Sequence, residues 1–355
     1  MSNKRLYLFP AAFAYGLFIR LRNAFFRFGA LKEVNFDGVL VIGVGNLTVG
    51  GTGKTPMVEY LIRNLADDYP VVVLSRGYGR KSKGFHIVSP TDTSEYSGDE
   101  PVQMASKFKN INVVVQEDRR KGINNILYHF PYTQIIILDD SFQHRWVKPD
   151  INILLTDYYN LYFEDYLLPM GSLREHRHSY KRADFIVVTK CDKTISPITK
   201  RYVKDNIKPT NHQKLLTSYI AYDELEHYEG SKFFDFDKKK HNTAICFSGI
   251  ANNDLFSGKI KTLFADVEEI EFRDHHDYSV YEVANIVKKH HDKYGSKKVV
   301  VTTEKDLMRL KNEKFSSLLK EVPLFYLPMK FEFHSTHGEE LLKTIKSKLV
   351  AKIKY

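Results

Sequence analysis

A chain of 355 residues with 43% hydrophobic and 27% charged residues can bury a sizeable core, which sets it apart from disordered tails. Its two cysteines, Cys191 and Cys246, lie far apart and outside metal-ligand spacing, which argues against a disulfide scaffold or a cysteine-based metal site. The net charge of +10 invites an acidic partner, whether nucleic acid, anionic headgroup or phosphorylated substrate, without choosing among them.

At the N-terminus, Lys4, Arg5, Arg20, Arg22 and Arg27 interleave with Leu6, Tyr7, Phe13, Tyr15, Phe18, Phe25, Phe26 and Phe28. This pattern predicts an amphipathic helix over residues 1–28 lying in a membrane interface, against the plainer alternative of a helix packed on the protein's own core. The apolar run from Leu6 to Ile19 contains Pro10 and is shorter than the roughly 18 to 20 residues a spanning helix needs. No small-residue cleavage site follows it, so it does not read as a signal peptide.

Gly38 to Gly43 reads as a buried strand, Thr55 to Leu65 as a helix, and the glycine-rich run between them as a phosphate loop. Thr48, Val49, Gly50, Gly51, Thr52, Gly53, Lys54 and Thr55 are its members. The glycines let backbone N–H groups approach a polyphosphate, Lys54 brings a charge, and Thr55 offers a hydroxyl to magnesium. The strict pattern wants glycine where this chain has Thr48, so the match is to Gly-Lys-Thr with a glycine-rich approach.

Short β-branched runs follow at Val71–Leu74, Ile111–Val115, Ile135–Leu138, Ile151–Leu155 and Phe185–Val188, separated by stretches long enough for crossovers. They predict a parallel sheet covered on both faces, in a P-loop-type domain over residues 29–215. The lysine-rich stretch 216–240 reads as a linker. Residues 241–355 read as a smaller α/β domain with strands at Thr243, Val267, Lys298 and Pro323 and helices at Tyr281–Tyr294 and Gly338–Ala351, the last able to pack back on the first domain.

Strand ends carry the chemistry. Asp139 and Asp140 follow Ile135–Leu138 where ligands of open parallel sheets bind, and they suit the metal side of a nucleotide site. Gln143 and His144 follow closely enough to meet phosphate or acceptor. Arg76 and Arg80, the cluster Glu117 to Gly122 with Arg119, and the loop Leu168 to Glu175 with Arg174 supply guanidinium groups suited to phosphate. Asp99 sits at a helix start, as cap or as base. Asp274-His-His-Asp277 pairs carboxylates with imidazoles. Thr189-Lys-Cys-Asp192 is similar to a guanine-reading element, which makes a P-loop GTPase-like switch or assembly factor the rival reading. A nucleic-acid binder lacks any module to support it.

Taken in order, Gly45 to Pro56, Ser75 to Gly79, Gly98 to Pro101, Leu138 to Arg145, Leu168 to Glu175, Asp274 to Tyr278 and Val301 to Asp306 resemble the tetraacyldisaccharide 4'-kinase family, the lipid A kinases of Gram-negative bacteria. The likeness runs to about residue 310 of the sequence and tolerates Thr48, while Arg273 stands where proline is expected. It implies transfer of the γ-phosphate of ATP to the 4'-hydroxyl of a tetraacyl glucosamine disaccharide 1-phosphate. ATP and Mg2+ are the implied cofactors. Thr55, Asp139, Asp140 and Glu175 would serve the metal, Arg76, Arg119, Arg174 and Gln143 the phosphates or substrate, and Asp99 with His275 the hydroxyl proton, His276 being the alternative to His275. The implied setting is the cytoplasmic face of the inner membrane, with the acylated disaccharide and the membrane surface as partners and neither nucleic acid nor an obligate protein partner.

Overall fold

The computed structural model describes residues 3–228, 243–250, 253–274, 276–294 and 298–353, with side chains from Leu6 onward. Residues 229–240 of the expected linker and His275, expected to pair with Asp99, lie outside the described residues.

The first sheet draws on β1 (Leu40–Asn46), β2 (Val71–Ser75), β3 (His86–Ile87), β4 (Asn112–Val115), β5 (Ile135–Leu138), β6 (Ile151–Asp157), β7 (Phe185–Thr189) and β8 (Lys214–Tyr222). The second draws on β9 (Glu226–His227), β10 (Thr243–Ser248), β11 (Asp266–Glu271), β12 (Lys298–Thr303) and β13 (Leu324–Leu327), after which β14 (Met329–Phe333) returns to the first. The orders are β14-β8-β7-β6-β1-β5-β2-β4-β3 and β11-β10-β12-β13-β9. Within each, the central pairs are parallel and only the edge pairs β3–β4, β8–β14 and β9–β13 are antiparallel. Strands β1, β2 and β5 are buried along their whole length, as strands covered on both faces must be.

Helix Lys54–Leu65 covers one face of this sheet because Met57, Val58, Leu61, Ile62 and Leu65 recur at helical spacing, each at most 1% exposed. Burial of each such side chain contributes roughly 1.5 to 3 kcal/mol. On the same side lies helix His337–Ile353, with Leu341, Ile345 and Leu349 inward. The expected boundary at residue 215 does not follow the sheets: β8 carries the first sheet to Tyr222, and β14 and the last helix, 329–353, rejoin it. The physical reason is that β8 pairs with a strand more than a hundred residues away, a partnership its mixed composition does not announce. One continuous apolar cluster runs from β1, β5 and β6 into Ile245, Phe247 and Val300 of the second sheet.

The N-terminal helix Phe9–Arg27 starts with Pro10 in its first turn, where a missing N–H has no helical partner to lose. Its buried residues are Ala12, Gly16, Ile19 and Phe26. Among the described residues, no helix is long and apolar enough to cross a membrane.

Candidate active site

Because β1 lies between β5 and β6, the strand order reverses beside it, and a crevice opens at its carboxyl end. There the chain turns through residues 47–53 into helix Lys54–Leu65. Gly53 takes φ 85°, a left-handed conformation that favours glycine, and no side chain caps the helix, so its first N–H groups are left for an anion. At Gly45 the need is different: a Cβ would meet the Phe142 backbone nitrogen at 2.7 Å, so only glycine lets the turn after β5 lie across β1.

The loop is braced from several sides. Asn46 Nδ2 donates to Thr52 Oγ1 at 2.8 Å, Thr189 Oγ1 to the Thr52 carbonyl at 2.8 Å, and Lys190 Nζ to the Gly51 carbonyl at 2.5 Å. On the opposite flank, Val49 N donates to Ser172 O at 2.8 Å and Arg174 N to Leu47 O at 2.7 Å. Such a loop is held in shape before any ligand arrives, which lowers the cost of ordering it on binding.

Around it the charges gather. Arg174 grips Asp140 with both terminal nitrogens, at 3.0 and 2.8 Å, and also donates to Asn46 Oδ1. Lys54 Nζ lies 3.6 Å from Asp140 Oδ1 and 3.4 Å from Asn46 Oδ1. Asp140 itself sits at φ 45°, in the left-handed region that few non-glycine residues adopt and aspartate adopts more readily than most. Its neighbour differs. Asp139 is 1% exposed; Oδ2 accepts from Ser75 Oγ at 3.0 Å, and Oδ1 is buried with no hydrogen-bond partner.

Burial would raise both carboxyls, but at Asp140 the Arg174 hydrogen bond and the Lys54 and Arg174 charges prevail and hold it far below the usual range. At Asp139 burial prevails, helped by Glu100 and Asp140, and pushes it up to about 7. The two neighbouring carboxyls are thus shifted in opposite directions. His144 is lowered to about 4 by burial and by Arg119 and Arg76, so it stays neutral. Gln143 donates to Asn46 O at 2.8 Å and leaves a buried Oε1 without a partner.

Three expected residues stand elsewhere. Glu175, expected on the metal, is fully buried and accepts from Ser179 Oγ at 2.9 Å and Arg182 Nη1 at 3.0 Å, with Asn23 at 3.2 Å and Arg22 at 3.3 Å. Both oxygens are taken, so it ties the N-terminal helix to the core and has no lone pair to spare. Arg119, expected on phosphate, is 2% exposed and donates to Gln116 O at 2.9 Å and Asp139 O at 3.0 Å, which makes it a brace behind Asp139. Arg76 is exposed at the end of β2 and reaches the site only through its charge.

Asp99 opens helix Asp99–Lys107 and accepts from Glu100 N at 2.9 Å and Arg309 Nη2 at 2.6 Å. His276, the alternative to His275, is taken up by Glu282 at 3.0 Å and stacks on Phe272. Thr189 and Lys190, the basis of the guanine-reading rival, are committed to the loop, and Lys190 also pairs with Asp157 at 2.7 Å. Sequence reasoning missed Asn46, Ser75, Lys190 and Arg309 as parts of this network. Asn46 and Ser75 each end a strand within a quoted motif, a signal that was available; Arg309 gave none.

An uncapped helix start, a lysine and arginines on one side and an orphaned carboxylate oxygen on the other define a P-loop phosphotransfer site on a parallel α/β sheet. The comparisons narrow this class. The family model for tetraacyldisaccharide-1-P 4'-kinase matches residues 4–348. The chain is 40% identical to a tetraacyldisaccharide 4'-kinase of Phocaeicola vulgatus, covering 92% of this chain and 90% of that one, and 41% identical to one of Flavobacterium psychrophilum, covering 94% of each. It superposes on the crystal structure of LpxK from Aquifex aeolicus in complex with ATP with a TM-score of 0.73 and 32% identity, covering 97% of this chain and 99% of that one. The chain belongs to the tetraacyldisaccharide-1-P 4'-kinase family and is an enzyme of the kinase class.

Proposed function

We propose that this protein transfers the γ-phosphate of ATP to the 4'-hydroxyl of a tetraacyl glucosamine disaccharide 1-phosphate, yielding lipid IVA for lipid A. The observation that carries this reading is the Lys54, Asp140 and Arg174 cluster against a glycine-rich loop at a helix N-terminus. Thr55, Asp139 and Asp140 would hold Mg2+: the partnerless Oδ1 of Asp139 fits a cation ligand, and magnesium needs only one or two carboxylates beside phosphates and water. Bound there, magnesium would neutralise charge on the transferring group. Lys54 and Arg174 add fixed positive charge in a largely buried place, where it counts for more than in water. As the sugar oxygen bonds to the γ-phosphorus, the bond to the departing ADP oxygen breaks. The hydroxyl proton passes to the Asp99 carboxylate, with His275 as its expected partner.

An acylated substrate stays in the bilayer, so the enzyme must reach it there. Helix Phe9–Arg27 turns Phe9, Phe13, Leu17, Phe18, Leu21 and Phe25 outward, each at least half exposed, which suits a peripheral position on the cytoplasmic face of the inner membrane. A groove of about 470 Å3 between this helix and Leu167, Met170 and Leu173 adds apolar surface beside the phosphate loop.

Incubation of the purified chain with the acylated disaccharide 1-phosphate and γ-labelled ATP tests this. Label should appear in the lipid with magnesium, with ATP preferred over GTP, and should nearly vanish in Asp99→Ala. No transfer to that lipid by the intact protein, or a GTP preference needing no lipid, would overturn it.

A further inference from the structure

The charged turn after β12 faces the first unit instead of solvent. Thr303 Oγ1 accepts from Asp306 N at 3.1 Å and so caps helix Glu304–Leu310, which aims Glu304, Lys305 and Arg309 across the seam. Glu304 Oε1 accepts from Lys107 Nζ at 2.5 Å, and Lys107 also pairs with Glu59 of the phosphate-loop helix at 2.8 Å. Farther along the same helix, Arg309 sends Nη2 and Nε to Asp99 Oδ2 at 2.6 and 3.2 Å. Its remaining nitrogen donates to Asp306 Oδ1 at 2.7 Å and Gly249 O at 2.8 Å. Asp306 is itself fixed by Gly249 N at 3.0 Å and Thr303 Oγ1 at 2.7 Å. Arg309 is therefore set in place by the second unit, independently of the carboxylate it meets.

Side chains of Asp99, Arg309 and Asp306 are 9%, 8% and 0% exposed, so water screens little of this contact. Two guanidinium nitrogens hold Oδ2 while Glu100 N holds Oδ1 at 2.9 Å, so the carboxylate is fixed at both oxygens by charge-assisted and backbone hydrogen bonds. The carboxylate belongs to the first unit and its grip to the second. We propose that Arg309 is a positioning residue for Asp99: seating of the second unit on helix Asp99–Lys107 fixes the rotamer of that carboxylate, so the proton acceptor works only when the two units are together. The inference rests on Asp99 being the proton acceptor.

Among the described residues, Arg309 and Lys305 from the second unit and Glu100 on its own helix lie against Asp99, with Asp306, Tyr278 and Asp274 acting on Arg309 and Lys305. Losing a positive neighbour lets a carboxylate keep its proton to higher pH. In Arg309→Ala, kcat should fall on the order of 100-fold with the KM for ATP unchanged, and the acid limb of the kcat profile should move to higher pH. Added guanidinium ion at a few millimolar (~) should restore part of the rate, which a merely structural role would not allow. Should that variant fail to fold, Arg309→Lys carries the test. It keeps the charge and loses the fork, so kcat should drop roughly tenfold with the acid limb in place. Native kcat in either variant, or a loss with neither a shifted limb nor rescue in Arg309→Ala, overturns the proposal. Asp99→Asn separates the two readings: full turnover in it removes Asp99 as the acceptor, whereas an inactive Asp99→Asn beside a fully active Arg309→Ala removes only the role of Arg309.

Discussion

Arg174 and Glu175 are neighbours in sequence and serve opposite regions of the molecule. Arg174 turns to the phosphate loop and grips Asp140; Glu175 turns to the N-terminal helix and grips Arg22 and Asn23. The first region buries charge, and the second exposes hydrophobic rings, so each departs from the ordinary partition of polar outside and apolar inside. Both departures are unfavourable in water alone. Buried charge is tolerated where it is paired and aimed at a ligand, and an exposed aromatic face where another apolar phase will cover it.

The comparison breaks if the two regions cannot be separated by mutation. Lys54→Ala should have the largest effect, a fall in kcat/KM on the order of 100- to 1,000-fold, measured by phosphate transfer, with vesicle flotation unchanged. Loss of vesicle binding in that variant would mean that the loop and the helix act as one. Next comes Glu175→Ala, which leaves Arg22 and Arg182 beside an empty place; removing one partner from a buried ion pair costs about 3 to 5 kcal/mol, readable in urea unfolding. An unchanged midpoint would show that the helix is fastened by other means.

Phe13→Ser, Phe18→Ser and Phe25→Ser, taken singly, should each weaken vesicle binding about tenfold while shifting stability by less than about 0.5 kcal/mol, because these rings contribute little to the core. A stability loss larger than the binding loss would put the rings inside the protein. The smallest effect concerns pH. Burial raises the Glu175 carboxyl, but Arg182, Arg22 and Ser179 overrule it and leave it below its ordinary 4.5. Its folded value is depressed, so its stabilisation is complete above about 4.5 and drains as pH falls through the lower folded value. Melting from about pH 3 to 7 should show this acid slope in the native protein and in Lys54→Ala, and a shallower one in Glu175→Gln.

Asp139 and Asp140 illustrate how far the residues alone reached. Their place at the end of an apolar strand was legible, since a β-branched run followed by acids needs no distant information. Their opposite shifts were not, because they depend on Arg174 reaching Asp140 from another loop and on burial leaving the Asp139 carboxyl only Ser75 Oγ as a hydrogen-bond donor among the described residues. Glu175 misled for the same reason: a carboxylate beside a phosphate-site arginine reads as a ligand until Arg22 and Asn23 are seen to claim it.

By itself the sequence determined the phosphate loop, the parallel strands around it, the amphipathic N-terminus and the family likeness, because glycine conformation, side-chain periodicity and motif order are local properties of a chain. The tertiary structure decided that β14 closes the first sheet, which face of the N-terminal helix stays outside, and that Arg309 meets Asp99 from 210 residues away. Those outcomes depend on pairing, burial and charge between distant segments, and neither burial nor an electric field exists until the chain has folded.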